Sequence, residues 1–477
     1  MKITLFAMNG SYAHSSLAIR ALDTALRRAG FAENTLVEAN LRDRTGGVLE
    51  KLVATRGELY SFSCYIWNID VMLTLARDLR ALRPDCRIVL GGPEVSFDTE
   101  RFTALDFVDT VVTGEGENAI VTLAKAMRAG EPLPRLLAGA PDESFAEQGI
   151  HYEKTNPVSP LVYYESSRGC PYSCAFCLSS ATVGVRAKSA ERTLSDLLEF
   201  EAFEAPITVK LVDRTFNFDR ERAKRIWRGL QDPAYTKCYH FEISADLLDG
   251  ESFAVLAGFP KGKVRLEIGL QSTNRETLKA INRHADPAAV LQAAKRLMKM
   301  DNLHVHLDLI AGLPHEDMTS LRRSFDEAYF FCHVLQLGFL KLLHGTALRE
   351  KAAEYGMVAM GAAPYAVLQT NWLSFEELRR LHDMAELLDR LRERGRFARS
   401  LDFLLPKLPS PFDFYMDLLT YLQETTGKAV WEISQRDLFT HLAAFGEKLI
   451  YPADGATFKA LLREDFASFE VRRAPHF

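Results

Sequence analysis

Glu165-Ser166-Ser167-Arg168-Gly169-Cys170-Pro171-Tyr172-Ser173-Cys174-Ala175-Phe176-Cys177 gathers three of the chain's seven cysteines into eight residues. With 7 cysteines in 477 residues, that spacing is expected by chance roughly 0.0015 times, so it needs a chemical reason. The stretch directly follows an apolar run that opens near Leu161, and further strand-like runs open near Ile207, Tyr239, Lys263, Leu303 and Val334, with helical stretches between them. Six βα repeats predict a parallel sheet with right-handed crossovers, able to curve into a partial barrel. The cysteines then fall on the loop after its first strand, at the carboxyl edge where such barrels carry chemistry.

Outward from that core, residues 1 to about 128 alternate in the same way. Strands are predicted at Ile3 to Ala7, Leu59 to Cys64 and Arg87 to Leu90, with helices at Ser15 to Ala29 and Asp70 to Leu82. Asn9-Gly10-Ser11, Ser63-Cys64-Tyr65, Gly91-Gly92-Pro93 and Gly114-Glu115-Gly116 each follow a strand. A parallel sheet collects them along its carboxyl edge, where open α/β sheets bind ligands. Residues 131–160 hold Pro132, Pro134, Pro141, Pro157 and Pro160 with little periodicity and read as a linker. Beyond Met360 the pattern turns helical. Ser374 and Glu377 have capping-box spacing, and helices are expected through Phe412 to Gln423, Arg436 to Leu449 and Thr457 to Phe466. The aromatic residues Phe412, Phe414, Tyr415 and Tyr421 read as core. The division is therefore 1–130, a linker at 131–160, a barrel at 161–350 and an all-α region at 351–477.

Three thiolates on one loop can hold three corners of an iron-sulfur cube and leave the fourth iron open for a ligand. Two alternatives compete with this reading. A structural zinc needs a fourth donor, for which Cys238 or His240 are the candidates, or the three cysteines are small buried hydrophobes.

Composition narrows the rest. Hydrophobic residues make up 47% and charged residues 25%, ordinary values for a globular protein. Lys+Arg number 58 against 63 Asp+Glu, a net charge of −5 that disfavours a dedicated nucleic-acid binder. No apolar run reaches the roughly 18 residues of a membrane span, and Asn9-Gly10-Ser11 turns polar too soon for a secretory leader. The expectation is a cytoplasmic protein with reduced thiols and neither membrane nor nucleic acid as partner.

Cys170-x3-Cys174-x2-Cys177, with Phe176 before the last cysteine and the whole at the end of strand one, resembles the radical S-adenosylmethionine superfamily. The N-terminal block looks like the Rossmann-type cobalamin-binding domain of one large branch, and the C-terminal helices resemble an uncharacterised extension within it. Asn9 to His14, Cys64 to Asn68, Gly91 to Ser96, Asp213 to Asn217, His306 to Pro314 and Gln336 to Thr346 carry the closer match.

The resemblance implies an α/β chain with a cobalamin-binding domain, a (β/α)6 partial barrel and a helical C-terminal domain. It implies a 4Fe-4S cluster on Cys170, Cys174 and Cys177, S-adenosylmethionine on the open iron, and cobalamin. Asp213 and Arg214, Glu242 and Ser244, and Gln271 and Ser272 would contact S-adenosylmethionine beside Phe176, with Leu309, Ile310 and Gly312 near the adenine. The usual glycine-rich form of the strand-two contact is absent. Asn9, Ser11, Tyr12, Ser63, Tyr65, Trp67, Asn68, Gly91, Gly92, Glu94, Gly114, Glu115 and Gly116 would form the cobalamin edge.

Members of this branch commonly bind cobalamin without a histidine on cobalt. This chain likewise lacks an Asp-x-His-x-x-Gly motif, so Trp67 would shield the lower face. The implied activity is methylation of an unactivated carbon or phosphorus centre of a small molecule or peptide, with an electron donor such as flavodoxin or ferredoxin. Alternatives are a cobalamin-using cyclase or rearrangement enzyme and a non-catalytic iron-sulfur or corrinoid sensor. No catalytic side chain stands out, because His306 alternates with His304 and Asp308 along one strand face. Glu165, Arg168, Arg186 and Lys341 are candidates for the barrel mouth.

Overall fold

A computed structural model describes residues 1–147, 149, 152, 159–181, 184–450 and 452–470. Pro157 of the expected linker lies outside the described residues.

The N-terminal sheet is built from β1 (Ile3–Asn9), β2 (Asn34–Asn40), β3 (Leu59–Ser63), β4 (Arg87–Gly91), β5 (Thr110–Gly114) and β6 (Leu136–Gly139). All its strands are parallel, in the order β2-β1-β3-β4-β5-β6. Helices cover both faces, so central strands read as continuous apolar runs and every residue of β3 is buried. Two apolar cores result, one on each face. The linker differs from expectation at its start, where β6 extends this sheet. Pro132 and Pro134 precede it, and β6 is an edge strand, where a missing N–H costs little.

The second sheet contains β7 (Leu161–Tyr164), β10 (Thr208–Leu211), β11 (Cys238–Ile243), β12 (Val264–Gln271), β13 (Leu303–Ala311) and β14 (Val334–Phe339), parallel and in sequence order from one edge. Between β7 and β10, the short pair β8 (Ser167–Arg168) and β9 (Arg186–Ala187) frames the cysteine loop. Burial alternates along these strands, fully buried on the helix side and half-buried on the inner side. A period of two places His240, Glu242, Glu267, His306 and Asp308 on the inner face.

The C-terminal region differs from the all-α expectation at its start, where a short hairpin of β15 (Val358–Ala359) and β16 (Val367–Gln369) precedes the helices. Ser374 and Glu377 cap the next helix reciprocally, and helices follow at Ala398–Leu404, Pro411–Thr426, Gln435–Leu449 and Pro452–Phe469. This region is more than an appendage, since it shares one continuous apolar core with the barrel. Phe412 meets Phe325 edge-on at 5.6 Å, and the Tyr329 and Tyr415 hydroxyls pair at 2.9 Å. No helix among the described residues is long and apolar enough to cross a membrane.

Candidate functional site

The strand-to-loop turn after β7 is held from behind. Asp213, just past β10, accepts hydrogen bonds from Ser166 N at 3.1 Å, from Ser166 Oγ at 2.6 Å and from the Ser167 hydroxyl. Arg222 donates to Ser166 Oγ at 2.7 Å and to Lys188 O at 2.7 Å. Asp213 is fully buried, with both oxygens engaged, so it braces the cysteine loop from behind the cavity wall. Gly169 turns the chain into Cys170 with φ +92°, and a Cβ there would stand 2.1 Å from Gly184 O. Only glycine fits that approach.

Cys170, Cys174 and Cys177 line one cavity of about 170 Å³. Phe176, Arg214, Glu242, Ser244 and Gln271 share its wall, as do Thr215 and Asp308 from the segments that carry the resemblance, and Glu267 and Arg283, which the sequence does not single out. Cys170 Sγ lies 3.6 Å from the Thr215 hydroxyl, and Arg283 Nη1 donates to Cys174 Sγ at 3.8 Å. Burial pushes the Cys174 thiol up, while the Arg283 guanidinium opposes the shift and so favours the thiolate. Gln271 Oε1 and Arg283 Nε are buried without a hydrogen-bond partner. Orphaned buried polar atoms on a cavity wall call for a polar ligand, so the wall fits a cluster with a zwitterionic group docked on it.

The zinc alternative fares poorly. Cys238 opens β11 and thus sits at the amino edge, opposite the cysteine loop, while His240 Nε2 lies 2.9 Å from Glu267.

Deeper in the barrel the inner face is ionic. Lys210 Nζ lies 2.7 Å from Glu267 and 3.6 Å from Glu242, and His306 Nε2 lies 3.1 Å from Asp308. Burial, then the Glu267 charge, pushes Glu242 up to about 7. Glu267 is held down at about 2, where its His240 and Lys210 contacts outweigh burial. Ser272 points elsewhere, its hydroxyl bonded to Glu316. The Leu309 side chain is buried in the core, Ile310 has the parity of Asp308, and Gly312 turns the chain after β13.

The carboxyl edge of the N-terminal sheet is of another kind. Tyr65 and Trp67 stack at 4.4 Å, and Trp67 is 51% and Tyr12 62% exposed. Trp67 Nε1 donates to Met8 O at 3.4 Å and the Tyr12 hydroxyl to Asp43 at 2.6 Å, which leaves the exposed ring faces on a glycine-rich edge to fit a broad, mostly apolar ligand face such as a corrinoid. Ser11, Gly91 and Gly116 lie along this edge partly exposed, Gly114 is exposed, and Ser63 is buried. Several predicted contacts are committed to protein partners. Asn68 Nδ2 donates to Met8 O and Ser63 O, each at 3.1 Å, and Asn9 Nδ2 donates to Glu38 at 2.7 Å. Gly92, at φ +118°, abuts the Cys64 backbone, and Glu94 accepts from Tyr365.

Glu115 belongs to the joint between the two sheets. Arg168, two residues before Cys170, donates to Glu115 at 2.8 Å, Glu117 at 2.5 Å and Glu165 at 2.8 Å, and Arg186 also binds Glu115. On the other side of the joint, His14 Nδ1 lies 2.5 Å from Tyr163 OH. Lys341 is exposed and pairs by its backbone with Ala366.

Comparison with known proteins accounts for this layout. The B12 binding domain family matches residues 4–124, the Radical SAM superfamily residues 164–328, and a protein of unknown function family, DUF4080, residues 353–476. The first two imply cobalamin, and a 4Fe-4S cluster with S-adenosylmethionine, respectively. The chain is 28% identical over 317 residues to 2-(S-pantetheinyl)-carbapenam-3-carboxylate methyltransferase of Streptantibioticus cattleyicolor, covering 56% of this chain and 44% of that one. It is 26% identical over 339 residues to the cobalamin-dependent radical SAM methyltransferase TokK of Streptomyces tokunonensis, covering 61% and 47%. It thus spans under half the length of these relatives. In fold it is similar to OxsB, a cobalamin-dependent S-adenosylmethionine radical enzyme solved with aqua-cobalamin and S-adenosylmethionine bound. The TM-score is 0.65 at 13% identity, over 100% of this chain and 82% of that one. It is also similar to the radical S-adenosylmethionine methyltransferase TsrM of Kitasatospora setae, with a TM-score of 0.60 at 16% identity, over 76% and 78%.

Proposed function

The chain is a radical S-adenosylmethionine protein with an N-terminal B12-binding domain, and on that premise we propose that it is a cobalamin-dependent radical methyltransferase. Its substrate would be a small molecule or peptide methylated at an unactivated carbon or phosphorus centre. The observation that carries this reading is the three-thiol cavity with two unpartnered polar atoms, Gln271 Oε1 and Arg283 Nε, on its wall.

When bound, the cluster, S-adenosylmethionine and cobalamin supply electron transfer, a hydrogen-abstracting radical and a methyl group, chemistry that side chains alone do not perform. The chain's own residues bind and position. Cys170, Cys174 and Cys177 would hold the cluster, with Arg283 countering negative charge at Cys174. Gln271, Arg283 and Arg214 offer an acceptor and cations to the amino and carboxylate ends of the bound methionine. Asp213 and Arg222 keep the cysteine loop from relaxing. Arg168 ties that loop to Glu115 and Glu117 of the B12-binding domain, which sets the two cofactor edges in register.

Anaerobically reconstituted protein, given S-adenosylmethionine and a low-potential reductant, is expected to form 5′-deoxyadenosine, measured by chromatography. Protein with a full complement of iron and sulfide that forms none would overturn the enzyme reading in favour of a sensor.

A further inference from the structure

One residue of the C-terminal region reaches the B12-binding domain in a fully buried position. Tyr365, between β15 and β16, is 1% exposed and holds a left-handed backbone with φ 54°, which bulky residues rarely adopt. Its hydroxyl donates to Glu94 Oε1 at 2.5 Å and accepts from Arg101 Nη1 at 3.3 Å. The barrel closes the remaining sides. The Arg349 guanidinium lies 5.3 Å from the Tyr365 ring centroid, the His344 ring meets it edge-on at 5.0 Å, and Leu342 N donates to Tyr365 O at 3.0 Å. Three parts of the chain therefore meet on a single phenol.

What Glu94 is attached to gives the contact its meaning. The loop after β4 is interlocked with the loop after β3. Cys64 N donates to Gly91 O at 2.7 Å, Glu94 N donates to Cys64 O at 3.4 Å, and a Cβ on Gly92 would stand 2.4 Å from Cys64 O. Backbones this close move together. The loop that Glu94 steadies continues directly into the stacked Tyr65–Trp67 pair on the proposed corrinoid edge. Glu94 is itself buried, and a buried carboxylate is costly without its donors. The Tyr365 hydroxyl thus fixes Glu94, and Glu94 fixes the level of Cys64.

We propose that Tyr365 and Glu94 are positioning residues through which the C-terminal region holds the Cys64–Trp67 loop in its corrinoid-binding conformation. The inference rests on the reading of that edge as the cobalamin site and gives the C-terminal region a role in cofactor retention.

The test uses the full chain in two measurements. Hydroxocobalamin is titrated into it by absorbance, and amide hydrogen exchange of residues 64–68 and 91–96 is followed without cobalamin. Tyr365→Phe keeps the ring and removes the donor. It is expected to weaken cobalamin binding about tenfold and to speed exchange at 64–68. Glu94→Gln keeps an acceptor for the hydroxyl and is expected to stay within about threefold of the unaltered chain. Tyr415→Phe removes an equally buried hydroxyl, paired with Tyr329 away from this edge, and is expected to change neither reading. Unchanged affinity and exchange in Tyr365→Phe would overturn the proposal alone, as would equal weakening in Tyr365→Phe and Tyr415→Phe. Failure of the unaltered chain to bind cobalamin would overturn the cobalamin reading and the proposal with it.

Discussion

The two parallel six-stranded sheets solve the same burial problem in opposite ways. The N-terminal sheet buries both faces of its central strands, which are mostly apolar, and presents a carboxyl edge dressed with glycines, amides and the rings of Tyr12 and Trp67. The barrel sheet buries one face and leaves the other to thiols, guanidinium groups and the charges of Lys210, Glu242, Glu267 and Asp308. A sheet with no open face can only offer a rim, suited to a large flat ligand laid across it. A half-open sheet can surround a small charged one. In this chain the two edges are joined through Arg168, which donates to Glu115 and Glu117.

The sharpest way to break this division is at the barrel edge. Cys174→Ala should abolish deoxyadenosine formation, a loss beyond the about 100-fold that removal of even an outer partner of a metal ligand costs. Cobalamin binding, read by absorbance, should be unaltered. Parallel loss of both cofactors from a folded variant would show that the two edges are not separate sites.

The joint comes next. Arg168→Ala leaves the carboxylates of Glu115, Glu117 and Glu165 facing one another without their shared cation, at an expected cost of about 3 kcal/mol. Thermal unfolding should show a drop of about 3 °C. An unchanged midpoint would mean that the joint is held elsewhere.

The smallest effect is the pH response of the open face. Glu242 is raised from 4.5 to about 7, so between those values the folded chain keeps a proton that the unfolded chain has lost, and stability falls as pH rises through that window. Glu242→Gln removes the ionisation and should gain about 1–2 kcal/mol on the unaltered chain between pH 5 and pH 8. A difference that does not vary with pH would show that Glu242 keeps its ordinary affinity for protons.

Much of the architecture was legible because it is written in local periodicity. The six barrel strands begin within about a residue of their expected starts, and the Ser374 cap forms as its spacing indicates. β2 and the helix Thr45–Ala54 were missed for local reasons too. β2 is a half-buried edge strand with polar residues at several positions, and the helix carries Gly46 and Gly47, poor helix formers. The cysteine triplet was legible as chemistry because its three members share one loop. What remained hidden was pairing across long sequence separations. Nothing near Asp213 reveals that Ser166 and Ser167 claim its oxygens, and Arg283 reaches Cys174 from 109 residues away. The Glu94–Tyr365 contact spans 271 residues. A strand-end carboxylate facing a ligand and one bracing a loop have the same sequence signature, and only the fold separates them.

Gly169 sets a tolerance for the whole arrangement. The chain passes so close to Gly184 O that a single added carbon would collide with backbone, and the displacement would begin one residue before the first sulfur donor. Nature's smallest side chain at that point acts as a spacer gauge: the entry into the cysteine loop is set by how closely two backbones can pass with only a hydrogen atom between them.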